Sequence, residues 1–358
     1  MALSRRWFLA SLPAACFGQT AGKGRILATA IKRYADPATE FPVQRLTDPA
    51  HASILAAHAI SRHGFLVCAS DQSGRYEAYR VDLKSGQQKQ LTDAAELDPH
   101  SLTLLPDERG IAYLDGASLM VVNLSSLRAH EVYKISDGFE RGRGLGVAED
   151  GLYAALIERK GLLHRVQLIG MAKGSAEKLA ECEEEISEPS PRPKRASVLY
   201  RRGGGLWLAN YDAKQNYRLR VAEGGIGQAL WSPDGRSVYY LNYPEDAHKL
   251  HALREFIPDS NEDRRVADTS QFVGIGCNSD ASVFAGASGS KASPYVLLLV
   301  RAVRRELTLC EHRASDPAMV APVFSPNSQR VFFGSDRHGK PAIYSIAVDK
   351  LVEETETA

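Results

Sequence analysis

What the chain lacks narrows its class before any motif is read. It has no charge excess: 44 Lys and Arg stand against 43 Asp and Glu, a net charge of +1. A nucleic-acid binder working by bulk charge needs a surplus of cations to face the phosphates, so that class is set aside. Cysteine is scarce, and the five present form no Cys-x-x-Cys pair and no paired spacing with histidine. There is therefore no zinc ribbon and no disulfide framework to read. No segment approaches ~18 continuous apolar residues, the length that spans a bilayer. Two further signatures are missing. Gly203-Gly204-Gly205 is not followed by a helix carrying Lys and Ser or Thr, so it is not a phosphate loop. Ser288-Gly-Ser290-Lys291 has no strand-to-helix elbow around a nucleophile, which leaves serine-hydrolase chemistry without support.

The first 22 residues stand apart from the rest. Ser4-Arg5-Arg6-Trp7-Phe8-Leu9 puts paired arginines ahead of a short apolar run, the pattern of a twin-arginine export signal. Cys16 and Gly18 are small residues before a cleavage point at Gln19. An ordinary secretory leader or a surface helix is the competing reading. Cys16 would serve a lipid anchor in a further one, although Pro13 stands where that motif takes leucine. Each export reading places the mature chain in the periplasm or outside the cell.

The remainder repeats one pattern: an apolar run, a polar turn, a second apolar run and a further strand. Ala229-Leu-Trp231-Ser-Pro233-Asp234-Gly235 followed by Val238-Tyr-Tyr240 is the clearest copy, with near copies around Pro106-Asp107 and Pro326-Asn327. In each, proline presets φ at the first turn position and Asp, Asn or Gly takes the next, so the two runs fold back as a hairpin. Weaker copies surround Gly64, Asp150 and Asp280. One near Lys194 keeps its second strand but has lost the clean turn. The turns recur at intervals of roughly 40 to 85 residues, the widest gap hiding the degenerate copy. About 340 residues over about seven units give about 49 per unit, which suits four-stranded blades. The expectation is an all-β, seven-bladed propeller over residues 32–350, with a disordered tail at 351–358. Six or eight blades also fit the length. Phe41-Pro-Val43-Gln-Arg45-Leu46-Thr47 resembles a blade's last strand but precedes the first blade, so it is expected to complete the last one and close the ring. The acid-rich, proline-rich stretch from Glu181 to Lys194 reads as surface loop.

Ligand sites are expected at the channel mouth, where the innermost strands begin. The residues there are His51, His58, His100, Arg141, Arg143, Glu188, Gln228, Gly274 and Met319. Histidine can ligate metals or act as a base, and arginine can hold a carboxylate in two parallel bonds. A single histidine at a strand end is more often a hydrogen-bonded surface group. His248 and His251 would share a metal only if their loop brought them together, and Trp207 and Trp231 read as packing residues.

Two segments resemble the oligogalacturonate lyase family. Tyr34-Ala-Asp36-Pro-Ala-Thr39 leading into Val43-Gln-Arg45-Leu46-Thr47 is similar to the family's opening, and Ser335-Asp336-Arg337-His338-Gly339-Lys340-Pro341-Ala342-Ile-Tyr344 to its close. The resemblance implies a seven-bladed propeller that cleaves short oligogalacturonides by β-elimination, assisted by a divalent metal, typically manganese. It also implies histidine ligands in the last two blades and a histidine base before the tryptophan of the fifth. In this chain those positions fall at Met319-Val320-Ala321, near Gly274 and at Gln228, and the family's arginine maps near Gly204. His338, although matched, sits in an outer turn and reads as a fold residue. Three functions follow as expectations. One is an exported propeller that has lost its metal site and binds acidic oligosaccharides or another protein. A second is a working lyase or related carbohydrate-active enzyme using relocated groups such as His51, His100 and Arg143. The third is a TolB-like periplasmic scaffold that contacts envelope proteins.

Overall fold

A computed structural model describes residues 22–351 apart from residue 247. The paired arginines, Cys16 and residues 352–358 lie outside the described residues. Leu351, assigned to the tail from sequence, packs against the core of the last sheet. Regular structure is almost wholly β, with one short 3-10 turn, Pro317–Val320. No described helix is long and apolar enough to cross a membrane.

The strands form six hydrogen-bonded sheets in a propeller-like arrangement. Five have four or five antiparallel strands, beginning with the innermost strands Ser53–Ile60, Thr103–Leu104, Gly225–Trp231, Phe272–Cys277 and Val323–Phe324. The sixth has eight strands, and this corrects the expectation of seven separate blades. It joins a four-stranded unit, residues 140–182, to another, residues 186–218, through one parallel bridge between Arg143 and Ser187. Glycine permits the approach. Gly144 is left-handed at φ 102°, and a Cβ there would stand 2.7 Å from Pro189 Cδ. At Gly146 a Cβ would overlap the Pro189 carbonyl oxygen. The inner strand of the second unit, Ile186–Pro191, occupies the stretch expected to be loop.

Each hairpin turn after an inner strand carries a left-handed residue: Gly64, Glu108, Gly151, Lys194, Gly235, Ala281 or Ser328. The turn near Lys194 is therefore intact, closed by Arg192 N–H donating to the Ser197 carbonyl at 2.8 Å. A side chain in this conformation costs on the order of 1–2 kcal/mol. That four of these turns use non-glycine residues means the sheets dictate the turn, not the turn residue the sheets.

The cores lie between adjacent sheets, not within them. One cluster runs from the first two sheets to Phe332 and Ile343 of the last, and others join each successive pair round to the last sheet. The last sheet is completed from the other end of the chain. Pro42–Arg45 pairs antiparallel with Ala342–Ala347, Val43 opposite Ile346, and Lys32–Ala35 adds an outer strand. A further strand, Ile26–Leu27, extends the first sheet beyond Gln88–Gln90.

Candidate functional site

Inner strands are where this fold can aim side chains at its axis, and here they do so through irregular pairing. Register shifts fall between Leu55 and Ile60, Arg141 and Leu145, Ser187 and Ser190, and Ile226 and Ala229. A bulge frees a residue from the ladder and re-aims it. The residues inside these four include His58, Arg143, Glu188 and Gln228.

A cavity of about 710 Å³ occupies the channel, walled by the distal halves of the inner strands and by the proline turns. His58, Gln228, Trp231, Cys277 and Ala321 face it, with Arg62, Glu108 and Glu149 as its other ionisable groups. The His58 ring is exposed to the channel but crowded by its walls, and this desolvation lowers its pKa below the ordinary histidine value. Burial pushes the Cys277 thiol up to about 11, so it is a poor nucleophile. Trp231 is buried and donates its indole N–H to the Ser190 carbonyl at 3.1 Å, a packing role.

The remaining sequence candidates are dispersed. His51 sits beside Asp71 at 3.7 Å, and Asp71 also accepts from Lys340 Nζ at 2.9 Å, a link between the first and last sheets. His100 is exposed in a turn where its backbone N–H donates to Asp98 Oδ1. Arg143 is exposed at the parallel bridge. Arg141 is bound to Glu96 at 3.0 Å, and Gly204 forms a tight left-handed turn with Gly203. None of His51, His100 and Arg143 lines the cavity. His251 Nδ1 lies 3.2 Å from the Phe272 carbonyl and its ring packs on Tyr243. Arg201, which sequence reasoning missed, donates to the Ile226 and Gly227 carbonyls at the bulge and pairs with Glu188. Nothing in its Tyr200-Arg201-Arg202-Gly203 context signals that role.

Gln228, Gly274 and Ala321 do adjoin. Gln228 Oε1 accepts from Ile275 N–H at 2.8 Å. A Cβ on Gly274 would stand 3.6 Å from that same oxygen and 3.5 Å from Pro322 Cδ. Ala321 is left-handed at φ 35° and follows the turn that contains Met319.

No family model matches the chain. The oligogalacturonide lyase of Pectobacterium atrosepticum is 24% identical over 387 residues, covering 92% of this chain and 99% of that protein. The oligogalacturonate lyase of Dickeya dadantii is likewise 24% identical over 388 residues, with the same coverage. Among solved structures, an oligogalacturonate lyase in complex with manganese superposes with a TM-score of 0.86 at 21% identity, over 91% of this chain and 98% of that one. The Vibrio parahaemolyticus oligogalacturonate lyase gives 0.85 at 22%, over 91% and 99%. The chain is a distant relative of the oligogalacturonate lyases.

In this distant lyase relative the residues that carry the resemblance build the seam between the two ends of the chain. Asp36 is buried and accepts from the backbone N–H groups of Ala38 and Glu311, with Arg337 3.8 Å away. Thr39 donates to the Leu309 carbonyl at 2.7 Å, and Thr47 Oγ1 accepts from Ile343 N–H at 3.0 Å. His338 Nδ1 lies 2.8 Å from the Tyr344 hydroxyl and its ring meets Tyr34 edge-on. Burial, with Arg337, Arg45 and Lys32 nearby, holds its pKa below the usual value. The neighbouring His312, missed from sequence, is fully buried. Its Nδ1 accepts from Ala314 N–H, which makes Nε2 the donor to the Ser288 carbonyl.

The residues present do not fit a manganese ion at the family positions. Divalent manganese takes carboxylate, imidazole and other oxygen donors. Gly274 and Ala321 offer a hydrogen and a methyl, and the one amide oxygen of Gln228 is already engaged. Among the described residues no group of three or more His, Cys, Asp or Glu is arranged to hold a metal.

Proposed function

We propose that this chain is a lyase-fold propeller that recognises acidic oligosaccharides of the oligogalacturonide class without performing metal-assisted elimination at the family positions. The wall of Gln228, Gly274 and Ala321 carries this reading. Elimination at a uronate needs a cation beside the carboxylate to acidify the C5 proton, and a base to remove it. A carboxamide has no usable basicity, and neither a hydrogen nor a methyl can hold a cation. The eight-stranded sheet is read as two blades, each with its own inner strand and left-handed turn at Gly151 or Lys194, which makes a ring of seven. Export to the periplasm or beyond belongs to the same proposal and rests on Arg5 and Arg6.

The test is incubation of the mature protein with di- and trigalacturonate and manganese, following absorbance of the unsaturated product. No product above background is expected; product formation abolished by a chelator overturns the reading. Calorimetric titration with trigalacturonate should show binding that a neutral trisaccharide lacks. Failure to bind would favour a scaffold for envelope proteins. Replacing Arg5 and Arg6 by lysine should leave unexported precursor, and normal export would refute the twin-arginine signal.

A further inference from the structure

Arg330, on the last sheet, is a half-buried cation whose side-chain acceptors among the described residues are neutral. Its Nη2 donates to Ser345 Oγ at 2.8 Å and Gln44 Oε1 at 3.1 Å. Its Nε and Nη1 make no hydrogen bond to a described residue, and beside it Gln44 Nε2 is buried without a partner. Burial lowers the guanidinium pKa, nearby Arg33 lowers it further, and Asp349 opposes them. A cavity of about 330 Å³ opens here between the last and first sheets, lined by Arg330, Arg62, Ser61, Asn327, Leu83 and Phe332. Glu108 reaches the rim, but its oxygens accept from Ser61 Oγ and Arg62 N–H, with His63 3.8 Å away.

A buried charge is ordinarily paired, because leaving it uncompensated costs several kcal/mol. Arg330, Arg33 and Arg62 gather like charge at one seam, an arrangement that an anion would relieve. We infer that this cavity binds the carboxylate of a small acid, with Arg330 as the principal contact and Arg62 as the second cation. Ser345 and Gln44 hold Nη2 and fix the plane of the guanidinium, so Nε and Nη1, on different edges of that plane, are each left to donate a single charge-assisted bond to a carboxylate oxygen. The volume lies at the low end of the ~300–1,000 Å³ range of small-molecule sites, which suits one sugar-sized acid, not an extended chain. The site adjoins the channel cavity, with which it shares Arg62, but Arg330 belongs to this cavity alone, and the inference does not depend on whether elimination occurs.

Calorimetry at low ionic strength on the mature protein tests it, with galacturonate, galactose and inorganic phosphate as probes. Galacturonate should bind and galactose should not. Arg330→Gln should weaken binding about tenfold and Arg62→Ala about threefold, Arg330→Lys falling between wild type and Arg330→Gln. Arg62 is exposed and also lines the channel cavity, so its variant reads both cavities, and Arg330→Lys, which keeps the charge, reads this one if Arg330→Gln fails to fold. Absent galacturonate binding, equal galactose binding, or affinity unchanged in Arg62→Ala and any folded Arg330 variant would overturn the inference. Binding of phosphate alone would overturn the carboxylate assignment. None of these results bears on the elimination assay, so the two readings fail separately.

Discussion

The seam around Asp36 and the channel wall at Gln228 are both places where the lyase resemblance makes a demand, and only the seam meets it. At the seam, each matched group has a partner that its chemistry requires: a buried carboxylate with backbone donors and a guanidinium, a hydroxyl on a carbonyl, an imidazole on a phenol. At the wall, the matched positions hold groups that ask nothing of a metal. On the proposed reading, ring closure and catalysis are separable, because the first depends on hydrogen bonds between sheets and the second on donors pointing into the channel.

Substitutions can break that contrast. The largest effect is expected from Asp36→Ala, which strips the acceptor from Ala38 and Glu311 N–H and leaves Arg337 uncompensated. Removing one partner of a buried charge pair costs about 3–5 kcal/mol, read from the urea midpoint. His312 gives the seam a pH dependence. Burial lowers its folded pKa below 6.5, so the unfolded chain takes up the proton first, and stability is lost as pH falls from about 6.5 through the lower folded value. His312→Gln should reduce the dependence of urea stability on pH in that window, leaving the slopes from His58 and His338.

At the wall, effects should be smaller. Gln228→Ala removes the acceptor of Ile275 N–H and should cost about 1 kcal/mol in the same measurement. Gly274→Ala meets only ordinary contacts and has no left-handed φ, so it should be neutral or stabilise by about 0.4–1 kcal/mol through the unfolded chain. A loss above about 2 kcal/mol at Gly274 would mean that the wall is as tightly specified as the seam, and the contrast would fall.

Much of the architecture was legible because its signals are local. Pro233-Asp234-Gly235 announces a turn within a few residues, and Val43 to Thr47 reads as a strand without a blade of its own. What escaped depends on groups distant in sequence. The fusion of two units at Arg143 and Ser187 follows from glycines meeting prolines some 45 residues on, which no strand period encodes. Lys194 holds a left-handed turn with a residue that does not advertise one. His312 and Arg201 earn their roles from carbonyls on other sheets. Of the candidate site, Gln228, Gly274 and Ala321 were singled out by the resemblance, and their adjacency is visible only in the fold.

The link from Thr47 Oγ1 to Ile343 N–H spans 296 residues. During synthesis the strand Pro42–Arg45 must therefore wait, its edge unsatisfied, until almost all of the chain exists. Closing so long a loop costs entropy before any contact rewards it. The same joint that the terminal motifs serve should be the last to form in folding and the first to open in unfolding, which makes those motifs timekeepers of assembly as well as fasteners.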